Sequence, residues 1–182
     1  MNLIIFKTER KMKDLVQRAT EFATAAHDGQ VRKYTGVPYI VHPIEVMEIV
    51  KTVPHDDAML AAALLHDVVE DCDVTIEEII VEFGSDVASL VSDLTDVSRP
   101  EDGNRKVRKT KDRNHSATSS SRAQTVKLAD LISNATDIIV NDPSFARVFI
   151  KEKKMLLQVL TRGDASLRGR AQRIVDDYDA TR

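Results

Sequence analysis

The chain has 182 residues, 42% apolar and 30% charged, proportions that fit one soluble globular domain and leave no room for a large second one. A formal net charge of −3 excludes a protein that attracts polyanions with its whole surface, so any affinity for phosphate must come from a local patch. The single cysteine, Cys72, excludes an internal disulfide and fits a reducing cytoplasm, while 4% aromatics, six Gly and five Pro favour helices packed on aliphatic residues over a turn-rich β fold.

The opening MNLIIF is apolar but short and runs at once into Lys7 and Glu9, so it reads as neither a signal peptide nor a membrane span. Met12, Leu15, Val16, Ala19, Phe22, Ala23 and Ala26 recur at three- and four-residue steps and predict an amphipathic helix that stops near Gly29. Residues 29–41 predict a loop with a very short strand at Tyr39-Ile40-Val41. Pro43 suits the first turn of a second helix carrying Val46, Met47 and Val50. A third helix starts near Asp56 or Asp57 and runs through AMLAAALLHDVVEDC; its first part is apolar on all sides, which makes it the buried, central one. Thr75 and Glu78 have capping-box spacing and open a helix that ends at Gly84, followed by another from about Asp86 to Val97. Residues 99–121 break the pattern: a turn at Arg99–Gly103, then NRKVRKTKDR and a Ser-rich run, predict a basic, mobile segment. Helix resumes from about Ala123 to Ile139, again behind the Asp142-Pro143 cap, and once more after Gly163-Asp164. The expected architecture is all-α, one domain over residues 1–182 with its core at about 10–178, built from about eight helices.

The central helix ends in His66-Asp67-Val68-Val69-Glu70-Asp71. His66 and Glu70, like Asp67 and Asp71, lie four apart and share a helix face. Ionisable groups crowded at the end of an apolar helix cost several kcal/mol if buried without partners. A divalent cation resolves the conflict, because it accepts imidazole and carboxylate together. His42, just before a helix start, and Asp130, after the apolar run to Ala129, would complete a mixed nitrogen and oxygen set suited to manganese or ferrous iron, with zinc admissible. Separately, each residue reads as readily as a cap or a solvated helix end; jointly they point to metal.

The order His42, His66-Asp67, Asp130 is similar to that of the HD-domain phosphohydrolases. More narrowly, the run from Gln30 to Pro43, the run from Ala62 to Asp71, and Val126-Lys127-Leu128-Ala129-Asp130 with Asn134 resemble three motifs of the RelA/SpoT-type alarmone hydrolases. The resemblance covers about residues 15–175 and extends to the Mesh-type small alarmone hydrolases, which lack a synthetase domain. It implies an HD-domain helical bundle and a manganese enzyme (Mn2+) that removes pyrophosphate from the 3′ position of a nucleotide of the (p)ppGpp or (p)ppApp type. By motif position His42, His66, Asp67 and Asp130 would be metal ligands, and Glu70 and Asp71 the acid/base pair near the attacking water. Arg32 and Lys33 would hold the base and phosphates, and Asn134 would touch the ribose or metal-bound groups. The partner implied is a small nucleotide, with no membrane and no nucleic acid, and a homo-oligomer is compatible.

Two positions depart from the family pattern: Leu131 and Thr136 stand where cations are expected near the substrate phosphates. The basic run Arg105–Arg113 is expected to fold over the pocket in their place. Two rival functions are another HD-domain nucleotide phosphohydrolase, a nucleotidase or phosphodiesterase, and a nucleic-acid-binding helical protein using residues 104–113. The second has few aromatics with which to stack bases.

Overall fold

The computed structural model describes residues 14–181, so Met12 and the MNLIIF segment lie outside the described residues. The elements are α1 Leu15–Ala26, α2 Val41–Val50, α3 Asp57–Leu65, α4 Val68–Asp71, α5 Ile76–Phe83, α6 Ser85–Leu94, α7 Arg105–Thr118, α8 Ser121–Asn141, α9 Pro143–Leu157 and α10 Ala165–Ala180, with a 3-10 turn at Pro100–Asp102. Among the described residues no strand forms, and an isolated antiparallel bridge joins Val31 to Pro38. The strand expected at Tyr39-Ile40-Val41 is instead a turn: the Val41 and His42 amides donate to the Pro38 and Tyr39 carbonyls and lead straight into α2.

Helix α3 is the axis of the fold. Ala58 through Leu65 are all buried, and α1, α2, α6 and α8 pack around it. Its apolar all-round sequence dictates this, since no face of it favours water. Helix starts follow local chemistry: Asp56 accepts from the Met59 amide, Thr75 and Glu78 form the reciprocal capping box, and Asp142 caps α9 with Pro143 in the first turn. Gly84, at φ 87°, closes α5 in a conformation that favours glycine.

Two features differ from the sequence expectation. The central helix is not continuous to Cys72 but breaks at His66-Asp67, where the His66 ring Nδ1–H donates to the Ala63 carbonyl at 2.9 Å, the acceptor the next helical turn would use. The segment expected to be mobile contains the fourteen-residue helix α7, opened by the Asn104 side chain accepting from the Val107 amide. Its cations do not repel one another freely, because distant acids hold them: Arg105 to Glu152 at 2.8 Å, Lys109 to Asp96 at 2.6 Å and Lys111 to Asp102 at 2.8 Å.

The α9–α10 connection is pinned on α8. The Arg162 amide donates to Gln124 Oε1 at 2.8 Å and the Asp164 amide to Thr125 Oγ1 at 3.0 Å. Between them, a Cβ on Gly163 would meet Leu128 Cδ1 at 2.7 Å and the Gln124 carbonyl carbon at 3.0 Å. Gly163→Ala should therefore cost about 1–3 kcal/mol of stability. Gly169→Ala, inside α10 with only the Arg173 guanidinium at 3.6 Å, should be neutral or stabilising. Thermal denaturation of the two variants checks this; equal melting temperatures would show that the Gly163 contact is not a constraint.

Candidate functional site

Three chain segments meet below the break in the central helix. His42 comes from α2, His66 and Asp67 from the α3–α4 break, and Asp130 from the middle of α8. His42, His66 and Asp67 each offer a ligand atom within 4.8 Å of the others. Asp130 Oδ1 lies 3.3 Å from His42 Nε2 and 3.7 Å from His66 Nε2, and Asp67 Oδ2 lies 3.1 Å from His66 Nε2 and 3.7 Å from His42 Nε2. Both imidazoles and Asp130 are buried.

The surroundings fix how these groups point. Ser133 Oγ donates to Glu45 Oε2 at 3.0 Å, so it accepts from His42 Nδ1–H, also at 3.0 Å. The Ala63 carbonyl accepts from His66 Nδ1–H. Both Nε2 lone pairs are thereby turned to the centre of the cluster. The Tyr39 hydroxyl donates to Asp67 Oδ2 at 2.7 Å, and Asn134 Nδ2 donates to Asp130 Oδ1 at 2.6 Å, one helical turn along α8. Burial works against ionising Asp130, but the adjoining His42 and His66 rings and the nearby Lys127 ammonium outweigh it and hold its carboxyl well below the usual range. Burial also disfavours charge on His66, yet the carboxylates of Asp67 and Asp130 overturn that and favour a positive charge here. His66 Nε2 itself is buried without a hydrogen-bond partner among the described residues. A divalent cation satisfies that orphaned lone pair and both carboxylates at once, so this donor set fits one.

The remaining expected residues are placed unevenly. Glu70 and Asp71, both on α4, diverge. Glu70 Oε1 accepts from the Asp96 amide at 2.6 Å, whereas Asp71 lies on the Tyr39 side at 3.4 Å from its hydroxyl. Glu70 keeps solvent contact, but partial burial still pushes its carboxyl up to about 7, with Lys127 pulling it down and Asp96 pushing it up. Arg32 touches Asn134 Oδ1 at 3.4 Å and pairs with Asp137 at 2.7 Å, so it is pinned against α8 rather than solvated. Lys33 points outward beside Tyr34 and Asp142, its side chain 74% exposed. Leu131 is fully buried in the core, and Thr136 is exposed with its hydroxyl donating to the Ile132 carbonyl; Thr136 lines a groove with Arg32 and Ser133. Leu131 thus faces the core, whereas Thr136 lies in the groove that Arg32 also lines.

A cavity of about 280 Å³ opens beside Asn134 between α7, α8 and α9. Arg105, Lys109 and Arg113 of α7 line it with Lys127 and Lys153, against the acids Asp96, Asp112 and Glu152. Arg108 faces an adjoining recess with Glu70 and Asp96. The basic segment thus does form a wall of the pocket, as a helix held in place. Sequence reasoning missed Tyr39, Ser133 and Lys127 as participants. Ser133 and Lys127 each lie three residues from Asp130, a spacing that puts them on its helix face; Tyr39 is brought in by the turn before α2 and carries no such signal.

A family model described as HD domain matches residues 19–155. The guanosine-3′,5′-bis(diphosphate) 3′-pyrophosphohydrolase MESH1 of Drosophila melanogaster is 40% identical over 127 residues, 68% of this chain and 69% of that protein. The probable guanosine-3′,5′-bis(diphosphate) 3′-pyrophosphohydrolase of Synechocystis is 47% identical over 85 residues, 47% of this chain but only 11% of that much longer protein. A solved structure of a metazoan ortholog of SpoT that hydrolyzes ppGpp superposes with a TM-score of 0.81 at 32% identity, covering 91% of this chain and 96% of the other. No helix among the described residues is long and apolar enough to cross a membrane.

The Ser133 link to His42 yields a direct test. Ser133→Ala should lower the affinity for a divalent cation about tenfold while leaving the fold intact. Calorimetric titration of chelator-stripped protein with manganese checks it; unchanged affinity would mean that the link does not orient the ring.

Proposed function

Because the chain belongs to the HD-domain family, we propose that it is a metal-dependent hydrolase of the 3′-pyrophosphate of an alarmone nucleotide, with guanosine as the base and pyrophosphate as the product. The observation that carries the reading is the cluster of His42, His66, Asp67 and Asp130 with a cation-lined cavity at its edge. The names of the relatives support the substrate, since those matching most of their own length are 3′-pyrophosphohydrolases of guanosine-3′,5′-bis(diphosphate).

The four residues would hold one divalent cation, manganese by the mixed donor set, with ferrous iron and zinc as alternatives. When bound, that cation supplies positive charge against the phosphoryl oxygens and acidifies a water. The chain does the rest. Glu70, pushed up to about 7, is poised to take a proton from the attacking water near neutrality. Asp71, tied to Tyr39, orients the same water from the other side. Asn134 aligns Asp130 and, with Arg32 behind it, forms the edge against which the ribose and base lie. Arg105, Lys109 and Lys127 offset the charge of the polyphosphate. The lone Cys72 fits a reducing compartment such as the cytoplasm.

The nucleic-acid reading loses its support in the structure. Three of the six cations of residues 104–113 that lend it weight are held by Glu152, Asp96 and Asp102, which breaks up a free basic stripe.

Manganese-loaded protein given a panel of 3′-pyrophosphorylated guanosine and adenosine nucleotides should release intact pyrophosphate, fastest from guanosine. Release of orthophosphate would instead identify a nucleotidase-type member of the family. His66→Ala should abolish both turnover and metal binding, whereas Glu70→Ala should abolish turnover with metal still bound. Because Glu70 must be deprotonated to act, kcat/KM should rise with pH up to an apparent pKa of about 7, lowered where a bound cation adds its charge. A profile flat from about pH 5 to 8 would remove Glu70 from the role of base.

A further inference from the structure

Helix α6 ends at Leu94, and the carbonyls of a last helical turn have no donor within their own helix. The Leu94 carbonyl takes its donor from α8, where Lys127 Nζ reaches it at 3.1 Å. Thr95 then leaves the helix in an extended conformation, φ −68° and ψ 131°, with its amide still on the Val91 carbonyl. That turn aims the next amide, of Asp96, at Glu70 Oε1, 2.6 Å away. The Asp96 carboxylate is held by Lys109 of α7, also at 2.6 Å. Residues 94–96 are therefore a short strap, fastened by its backbone to α8 at one end and to Glu70 at the other. Lys127 itself is half-buried, and among the described residues no carboxylate stands within ion-pair distance of it. Burial works against its charge, but the carboxylates of Asp130, Asp96, Glu70 and Asp67 outweigh that and keep it an ammonium. It is thus shared among several acids and bound to none of them, and the hydrogen bond it makes goes to the strap.

We propose that Lys127 is a positioning residue for the reaction: by capping α6 at Leu94 it aims the Asp96 amide at Glu70, and so fixes where that carboxylate stands relative to the His-Asp cluster. This rests on the hydrolase reading and adds to it a residue that, beyond its place on the cavity wall, acts through Glu70. The charged groups that face Glu70 are Lys127 from α8, Asp96 from the strap, Asp67 from the helix break, and Arg105, Arg108 and Lys109 from α7. Lys109 holds the strap by the Asp96 side chain, whereas Lys127 holds it by the backbone that carries the donor. The Lys127 charge works in the same direction as its hydrogen bond, because it favours the carboxylate of Glu70 over the acid.

The test follows kcat and KM against pH for the manganese-loaded full chain, with guanosine-3′,5′-bis(diphosphate) as substrate. Lys127→Met, which keeps an unbranched chain without charge or donor, should lower kcat at pH 7 about tenfold or more, with KM changed less than about threefold. The rising limb of kcat/KM should move up by about one pH unit. Lys127→Arg should return the limb to its wild-type position and restore most of the rate. A fall in kcat with the limb unmoved, or an effect confined to KM, overturns the proposal, since a wall cation acting on the phosphates alone gives either. The metal-free protein supplies a second reading. The Glu70 side-chain carboxyl, assigned by its loss in Glu70→Gln, is titrated by carbon-13 NMR. Its midpoint should lie higher in Lys127→Met than in wild type, and coincident midpoints overturn the proposal. If Lys127→Met does not fold, Lys127→Gln takes its place in both measurements. If wild-type protein hydrolyses no 3′-pyrophosphorylated nucleotide, the hydrolase reading fails separately, and the titration alone judges the hold of Lys127 on Glu70.

Discussion

Helix α3 carries its apolar surface all the way to a histidine and then an aspartate, and the bundle closes over both. Everything around the site answers that placement. Two buried imidazoles and two carboxylates cannot share one small volume on hydrogen bonds to one another alone, because each ring has only one further nitrogen and each acid only so many donors nearby. Ser133 and the Ala63 carbonyl take the outer ring nitrogens and leave both Nε2 atoms facing inward, while Tyr39 and Asn134 donate to the same carboxylate oxygens that approach them. The inner demand is for positive charge, which a divalent cation meets.

The same demand explains why the catalytic candidates sit apart from the ligands. Once the helix breaks at His66-Asp67, the short α4 turns Glu70 towards Asp96 and Lys127, and Asp71 towards Tyr39. A single unbroken helix would keep all four ionisable groups on a common rod. The break separates the candidate ligands from the candidate proton-transfer groups, and the cation-lined wall of α7 lies on the Glu70 side.

Much of this was legible in the sequence where the signal is local. The Asp56 cap, the Thr75–Glu78 box, the Asp142-Pro143 start and the all-round apolarity of residues 58–65 each act within a few residues of themselves. The spacing of His42, His66-Asp67 and Asp130 identified a cluster that the fold does assemble. What sequence could not show depends on partners far along the chain. Helix α7 reads as a self-repelling basic run until Glu152 and Asp96 are placed beside it. Leu131 reads as a missing cation until the rotation of α8 turns it into the core, while Thr136 is turned to the groove beside Arg32. The break at His66 turns on one side-chain hydrogen bond to Ala63, which no propensity encodes.

That bond, with its three counterparts, has a consequence for how the centre selects its ion. All four inner donors are aimed by protein groups, so their orientation is a product of folding and owes nothing to the guest. The restraints lie in the contacts with Ser133, Ala63, Tyr39 and Asn134, and the mixed donor set imposes no single coordination geometry. Such a seat fixes where its donors point without fixing the geometry about a guest, so more than one divalent cation is compatible with it.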